Sequence, residues 1–256
     1  MKILALDSSG LVASVAIVCD DVLQAEYTIN HKKTHSQTLL PMLEEVRDLI
    51  ELDMSTVDAI AVACGPGSFT GLRIGSATAK GLGLALDKPL IGVPTLEGLA
   101  YQLHGTDKLV CPIMDARRNQ VYTGIYEFVR RDEKSDSENA PLNKAGAYSL
   151  EIVEEQCAVD IHHIAERLNT LGREVCFLGD GVPVFREILA ELLTIPYSFA
   201  PAHMNRQSAA ALAALAQVYY EQGRYESAAE HQPVYLRLSQ AERERMEASA
   251  AGDAEA

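Results

Sequence analysis

Ile3-Leu4-Ala5-Leu6-Asp7-Ser8-Ser9-Gly10 sets four apolar residues before a carboxylate and a turn. A short apolar run bounded by turn residues predicts a buried strand. Val12 to Cys19 alternates small and β-branched residues, and Val22 to Ile29 follows after Asp20-Asp21. Three strands in a meander are expected. Thr34-x-x-Gln37 matches a capping box and predicts a helix to about Glu51, with Leu39, Leu43, Val46 and Ile50 on one face. Pro41 is expected in its first turn or so, where a missing N–H costs least. Next come an apolar run at Val57 to Ala63, a glycine-rich turn at Gly65 to Gly71, a helix to about Leu86, a strand at Leu90 to Val93 and a helix from Thr95 to about His104.

The pattern then starts again. Val110 to Met114 ends at Asp115, and Arg117-Arg118-Asn119 turns into a strand at Val121 to Phe128. Residues 130–146 hold charges, Ser, Asn, Pro and Gly and predict a long surface loop. A strand near Tyr148 to Val153, a helix near Ile161 to Leu171, a strand at Val175 to Leu178 and helices near Val182 to Leu192 and Asn205 to Gln222 follow. The two halves repeat the pattern without aligning residue by residue. A meander followed by alternating helix and strand implies an α/β fold with mixed sheets flanked by helices. The division expected is 1–106, 107–238 and an acidic, disordered tail at 239–256.

The 256 residues carry a net charge of −14, and 48% are hydrophobic, the balance of an ordinary globular protein. Divided after His104, both halves are acidic, at −5 and −9. A protein that grips nucleic acid alone needs a concentrated basic face, which the sequence does not announce. Lys2 precedes only four apolar residues before Asp7, too few for the core of an export signal. No apolar run has membrane-spanning length. The five cysteines, at 19, 64, 111, 157 and 176, are far apart and form no CxxC pair. Free thiols in a reducing cytoplasm are the expectation.

Several candidates carry chemistry. Asp7 at the end of its strand, with Ser8 and Ser9, can face a phosphate or a metal-bound water, or can cap its own turn. Gly65-Pro66-Gly67-Ser68-Phe69-Thr70-Gly71 reads as strand, loop and helix N-terminus, an arrangement able to hold an anion. It lacks the third glycine of a dinucleotide fingerprint, the Gly-Lys-Ser/Thr of a P-loop and the Gly-x-Ser-x-Gly of a nucleophile elbow. Gly71, Gly75, Ala79 and Gly83 recur every fourth residue as a nearly bare stripe. Glycine within a helix costs about 1 kcal/mol against alanine, so close approach by another backbone is implied. That backbone belongs either to the chain's own sheet or to a partner helix. His31 and His35 have a ligand spacing, but His31 precedes the helix and no third ligand is near. Adjacent His162 and His163 face different ways. Gly179-Asp180-Gly181 is a turn that could sit near a ribose or base.

Together, Ile3–Ser9, Ser14–Ile17, His35–Pro41, Gly65–Gly75, Met114–Tyr122 and Pro233–Arg237 resemble the TsaB (YeaZ) family of the bacterial tRNA threonylcarbamoyladenosine machinery. The resemblance runs from about residue 1 to 238. It implies two actin-like (RNase-H-like, hexokinase/actin superfamily) domains. It also implies a non-catalytic cytoplasmic subunit that binds and activates the catalytic paralogue TsaD, with the small ATPase TsaE. tRNA is met only through the complex, and a homodimer forms when the partner is absent. The helices at 36–51 and 71–86 would make the interface, through His35, Leu39, Leu43, Phe69, Gly71, Leu72, Arg73, Gly75, Ser76, Ala79, Lys80 and Gly83. A Gly75→Leu change would then block pairing and leave the monomer folded. Asp7, Ser8 and Ser9 would form a degenerate loop binding ATP or ADP weakly, with no catalytic residue and no metal. The second hairpin, Asp115 to Asn119, carries bulky side chains where a phosphate needs glycines. Two rivals stand beside this reading: an actin-like-fold small-molecule kinase or ATPase using Asp7, and a metallopeptidase-like enzyme using His31 and His35.

Overall fold

The computed structural model describes residues 1–31, 34–117, 119–130 and 148–237. The expected loop at 130–146 and the tail at 239–256 lie, but for Arg130, outside the described residues. The first sheet is built from β1 (Lys2–Asp7), β2 (Val12–Cys19), β3 (Val22–Asn30), β4 (Ala59–Gly65) and β5 (Leu90–Pro94). The second is built from β6 (Leu109–Asp115), β7 (Gln120–Arg130), β8 (Tyr148–Asp160), β9 (Val175–Leu178) and β10 (Tyr197–Phe199). Their strand orders are β3-β2-β1-β4-β5 and β10-β9-β6-β7-β8, the same topology made twice. In each, the opening strand is antiparallel to its hairpin mate and parallel to the fourth strand, as β1 is to β2 and β4. Two mixed five-stranded sheets flanked by helices are the actin-like fold class expected.

Side-chain alternation decides which layer each residue joins. On β1, Leu4 and Leu6 face α1 (His35–Leu49) and α2 (Phe69–Leu86), whereas Ile3 and Ala5 face the middle of the molecule. There α3 (Thr95–Tyr101) and α6 (Ala209–Glu221) lie between the sheets, joined by Val110 and Met114 of β6. Leu109, Cys111 and Ile113 face α4 (Ile161–Leu171) and α5 (Val182–Leu192) on the far side. The order of layers is helices, sheet, helices, sheet, helices. α6 belongs to the second half of the chain but packs on the first sheet. Glu26 of β3 holds its start, accepting hydrogen bonds from Ser208 Oγ (2.8 Å) and the Ala210 N–H (3.2 Å).

Local details differ from the sequence reading. Thr34 stands at the cap of α1, but its side chain makes no capping hydrogen bond. Pro41 is the seventh helical residue, in the second turn and exposed, and α1 continues through it. The last helix starts at Ala209, not Asn205, because Ser208 caps it and the Asn205 carboxamide is drawn to the Gly179 N–H (2.8 Å). β10 has three residues, too short a run to announce itself between Pro196 and Pro201.

Candidate functional site

Parallel strands bring the loops at their carboxyl ends together, the usual place for a site in an α/β sheet. Asp7 ends β1, Gly65 ends β4, Asp115 ends β6, and Gly179-Asp180-Gly181 follows β9. These ends converge on a cleft of about 960 Å³ lined from both halves, by Ser9, Gly67 and Thr70 on one wall and Asp115, Arg117 and Asp180 on the other.

The first hairpin is closed on itself. The Asp7 carboxylate accepts from the Ser9 N–H (2.8 Å) and from Ser9 Oγ (2.6 Å). Burial pushes the Asp7 carboxyl up to about 6, against the lowering effect of the Ser9 hydrogen bonds. Ser8 Oγ donates to the Gly71 carbonyl (2.9 Å), and the Ser68 N–H donates to the Ser9 carbonyl (2.7 Å). The glycine loop is the strand, turn and helix start expected, with Ser68 capping α2 through the Gly71 N–H (3.3 Å). Its glycines, however, admit the serine hairpin: a Cβ on Gly67 would stand 2.2 Å from the Ser9 carbonyl oxygen.

The same geometry corrects the reading of the bare stripe. Gly71, Leu72, Gly75, Ser76, Ala79 and Gly83 form the buried side of α2, and Leu39 and Leu43 the buried side of α1. A Cβ on Gly75 would lie 2.6 Å from Ser8 Oγ, and one on Gly83 2.4 Å from Leu90 Cδ1. The close approach implied by these glycines is to the chain's own hairpin and sheet, which leaves that stripe inaccessible to a partner. The side turned to solvent carries Arg73, Ala77, Gly81, Leu84 and Ala85, and Leu40 is exposed on α1. Leu84 is 66% exposed and nothing lies within 4 Å of a Cβ built on Gly81.

Phe69, Arg73 and Lys80 hold a strap that sequence reasoning did not find. Residues 225–237 return from α6 across the first sheet. Glu226 exchanges backbone hydrogen bonds with Leu90 (both 2.9 Å), and the Val234 N–H donates to the Cys64 carbonyl (2.7 Å). Lys80 Nζ reaches the carbonyls of Ala229 (3.0 Å) and His231 (2.9 Å). Phe69 packs on Tyr235 with ring centroids 4.7 Å apart, and the Arg73 guanidinium lies over the Phe69 ring while its Nε donates to Tyr235 Oη (3.2 Å). The strap ends where Arg237 donates to the Ala116 carbonyl, crossing to the second hairpin. Pro233-Val234-Tyr235-Leu236-Arg237 was its one signal in the sequence.

The second wall also closes locally. The Arg117 N–H donates to Asp115 Oδ1 (2.7 Å), and the Asp115 N–H to Asp180 Oδ1 (3.2 Å). Burial raises the Asp180 carboxyl. Asp180 therefore faces the cleft as well as making a turn. His35 Nε2 hydrogen-bonds the Gly10 carbonyl (2.8 Å), so that nitrogen carries the proton and offers no lone pair to a metal. Among the described residues no group of three His, Cys, Asp or Glu side chains could hold a metal ion. No helix among them is long and apolar enough to cross a membrane.

A family model described as TsaD, tRNA N6-adenosine threonylcarbamoyltransferase, matches residues 23–245. The tRNA threonylcarbamoyladenosine biosynthesis protein TsaB of Bacillus subtilis is 33% identical over 245 residues, covering 94% of this chain and 96% of that protein. The chain belongs to the TsaB family. The TsaB protein of Escherichia coli is 33% identical over 184 residues, 71% of this chain and 72% of that one. The structure of YeaZ from Pseudomonas aeruginosa superposes with a TM-score of 0.73 at 26% identity, over 92% of this chain and 99% of that one.

Proposed function

We propose that this chain serves tRNA threonylcarbamoyladenosine biosynthesis as an accessory subunit, not as the transferase. The similarity to TsaB-named relatives over nearly the whole of both chains carries the pathway. The closed first hairpin supports the accessory role. A phosphate loop needs free N–H groups and hydroxyls around an open cradle. Here the Ser9 N–H and hydroxyl are spent on Asp7, Ser8 is spent on Gly71, and the space at Gly67 and Gly71 is taken by serine carbonyls. These residues do not fit a tightly held nucleotide, so ATP or ADP binds weakly at most.

The partners in this reading are the catalytic paralogue TsaD and the ATPase TsaE, with tRNA bound through them. Docking uses the exposed ridge of α1 and α2, around Leu40, Ala77, Gly81 and Leu84, and the same ridge pairs two copies when the paralogue is absent. Mixing the chain with the paralogue from the same source tests this: co-elution and a paralogue-dependent rise in modified tRNA are expected. A paralogue that modifies tRNA equally well alone would overturn it.

The kinase or ATPase reading retains one favourable observation, a cleft at the carboxyl ends of both sheets. Calorimetry with ATP and magnesium separates the two. Tight binding with turnover, both lost in Asp7→Ala, would favour the rival.

A further inference from the structure

A second cavity, of about 470 Å³, shares no lining residue with the cleft. It opens between α3, α6 and the start of β8, and its chemistry is distinctive. Asp21, Glu97, Glu151 and Glu221 border it, and Arg224 is the one Lys or Arg among its lining residues. Tyr101, Tyr148 and Tyr219 supply aromatic walls. Arg224 already lies over the Tyr219 ring, 3.5 Å from its centroid, which shows that these walls accommodate a cation. Asp21 and Glu151 are exposed at the rim and make no ion pair among the described residues.

Two buried polar groups line the cavity. Glu97 is 8% exposed and takes a hydrogen bond from Tyr219 Oη at one carboxylate oxygen. Gln217 is also 8% exposed and lines the cavity, and its carboxamide makes no hydrogen bond among the described residues and stays open to the cavity. Excess carboxylates repel phosphates and other anions and attract cations. Aromatic walls add a preference for ammonium groups on an organic body over hydrated metal ions. We propose that this cavity binds a small organic ammonium ion, with Glu97 and the rim carboxylates taking its charge, Gln217 an N–H, and the tyrosine faces its carbon skeleton.

The test is calorimetry of the full chain with 1,4-diaminobutane, with neutral 1,4-butanediol as the shape control. Saturable binding of the diamine, at least tenfold tighter than the diol and weakened by salt, is expected. Gln217→Leu and Glu151→Gln, each checked for unchanged circular dichroism, should each weaken it severalfold, and Glu97→Gln by tenfold or more if it folds. A diamine that binds no better than the diol, or as well to Gln217→Leu and Glu151→Gln as to the parent chain, would overturn the proposal. A lysine side chain on a peptide offers the same chemistry. Nα-acetyl-lysine amide binding more tightly than the diamine would assign the site to a peptide; weaker binding would assign it to a free amine.

Discussion

A methyl group on Gly71 would stand 2.0 Å from the carbonyl oxygen of Ser8, and Ser8 Oγ donates back to the Gly71 carbonyl at 2.9 Å. This mutual contact locks the first hairpin to the start of α2. It accounts for the bare start of the stripe at Gly71 and Gly75 and for the absence of an open phosphate cradle.

Gly71→Ala should therefore destabilise the chain by about 1–3 kcal/mol or more, because the obstacle is backbone and cannot swing aside. Gly75→Leu should unfold it further and is a fold variant, not an interface variant. Urea denaturation checks both. An unchanged midpoint in Gly71→Ala would refute the packing described.

Gly81 gives the opposite outcome. It lies mid-helix with open space around it, so Gly81→Ala should raise stability by up to about 1 kcal/mol. Gly81→Leu should leave thermal stability intact and abolish co-elution with the paralogue. Retained co-elution would remove the exposed ridge as the docking face.

Asp7 makes stability depend on pH. Its carboxyl rises from 3.8 unfolded to about 6 folded, so the folded state holds the proton more tightly. That contribution is complete below pH 4 and is lost as pH rises through 6, a change of roughly 3 kcal/mol. Asp7→Asn keeps an acceptor oxygen for Ser9 and removes the titration. The variant should gain on the parent chain between pH 4 and 7 by that order, measured as the difference in unfolding free energy. Parallel pH profiles for the two chains would contradict it.

Lys80→Met tests the strap. It keeps much of the aliphatic stem and deletes two hydrogen bonds from a charged donor to the carbonyls of Ala229 and His231. A loss of about 1–3 kcal/mol is expected, with faster proteolysis near residues 229–237. Equal cleavage rates would show that the strap is held elsewhere.

The doubled architecture was legible because its signals are local and periodic. Ile3 to Leu6 and Val110 to Met114 are apolar runs that stop at an aspartate, and the hairpins and crossovers after them carry turn residues. Their identical strand order could not be read, since β10 is a three-residue strand with no pattern of its own. The site was half legible. Asp7, the serines and the glycine loop were found, and the turn at Asp180 was noted, but the strap at 225–237 showed itself only as the Pro233–Arg237 match, with nothing to say that it crosses the first sheet.

Residue order alone was enough to specify the α/β class, the strands that end at Asp7 and Asp115, the family and the need for something to approach α2 closely. Burial is a long-range property, so only the folded chain could say what approaches it. A glycine looks the same to a sheet, a hairpin or a partner until the 63-position separation of Ser8 and Gly71 is closed into one contact. The stripe went to the chain's own hairpin and sheet, and the exposed ridge of Ala77, Gly81 and Leu84 was left facing outward.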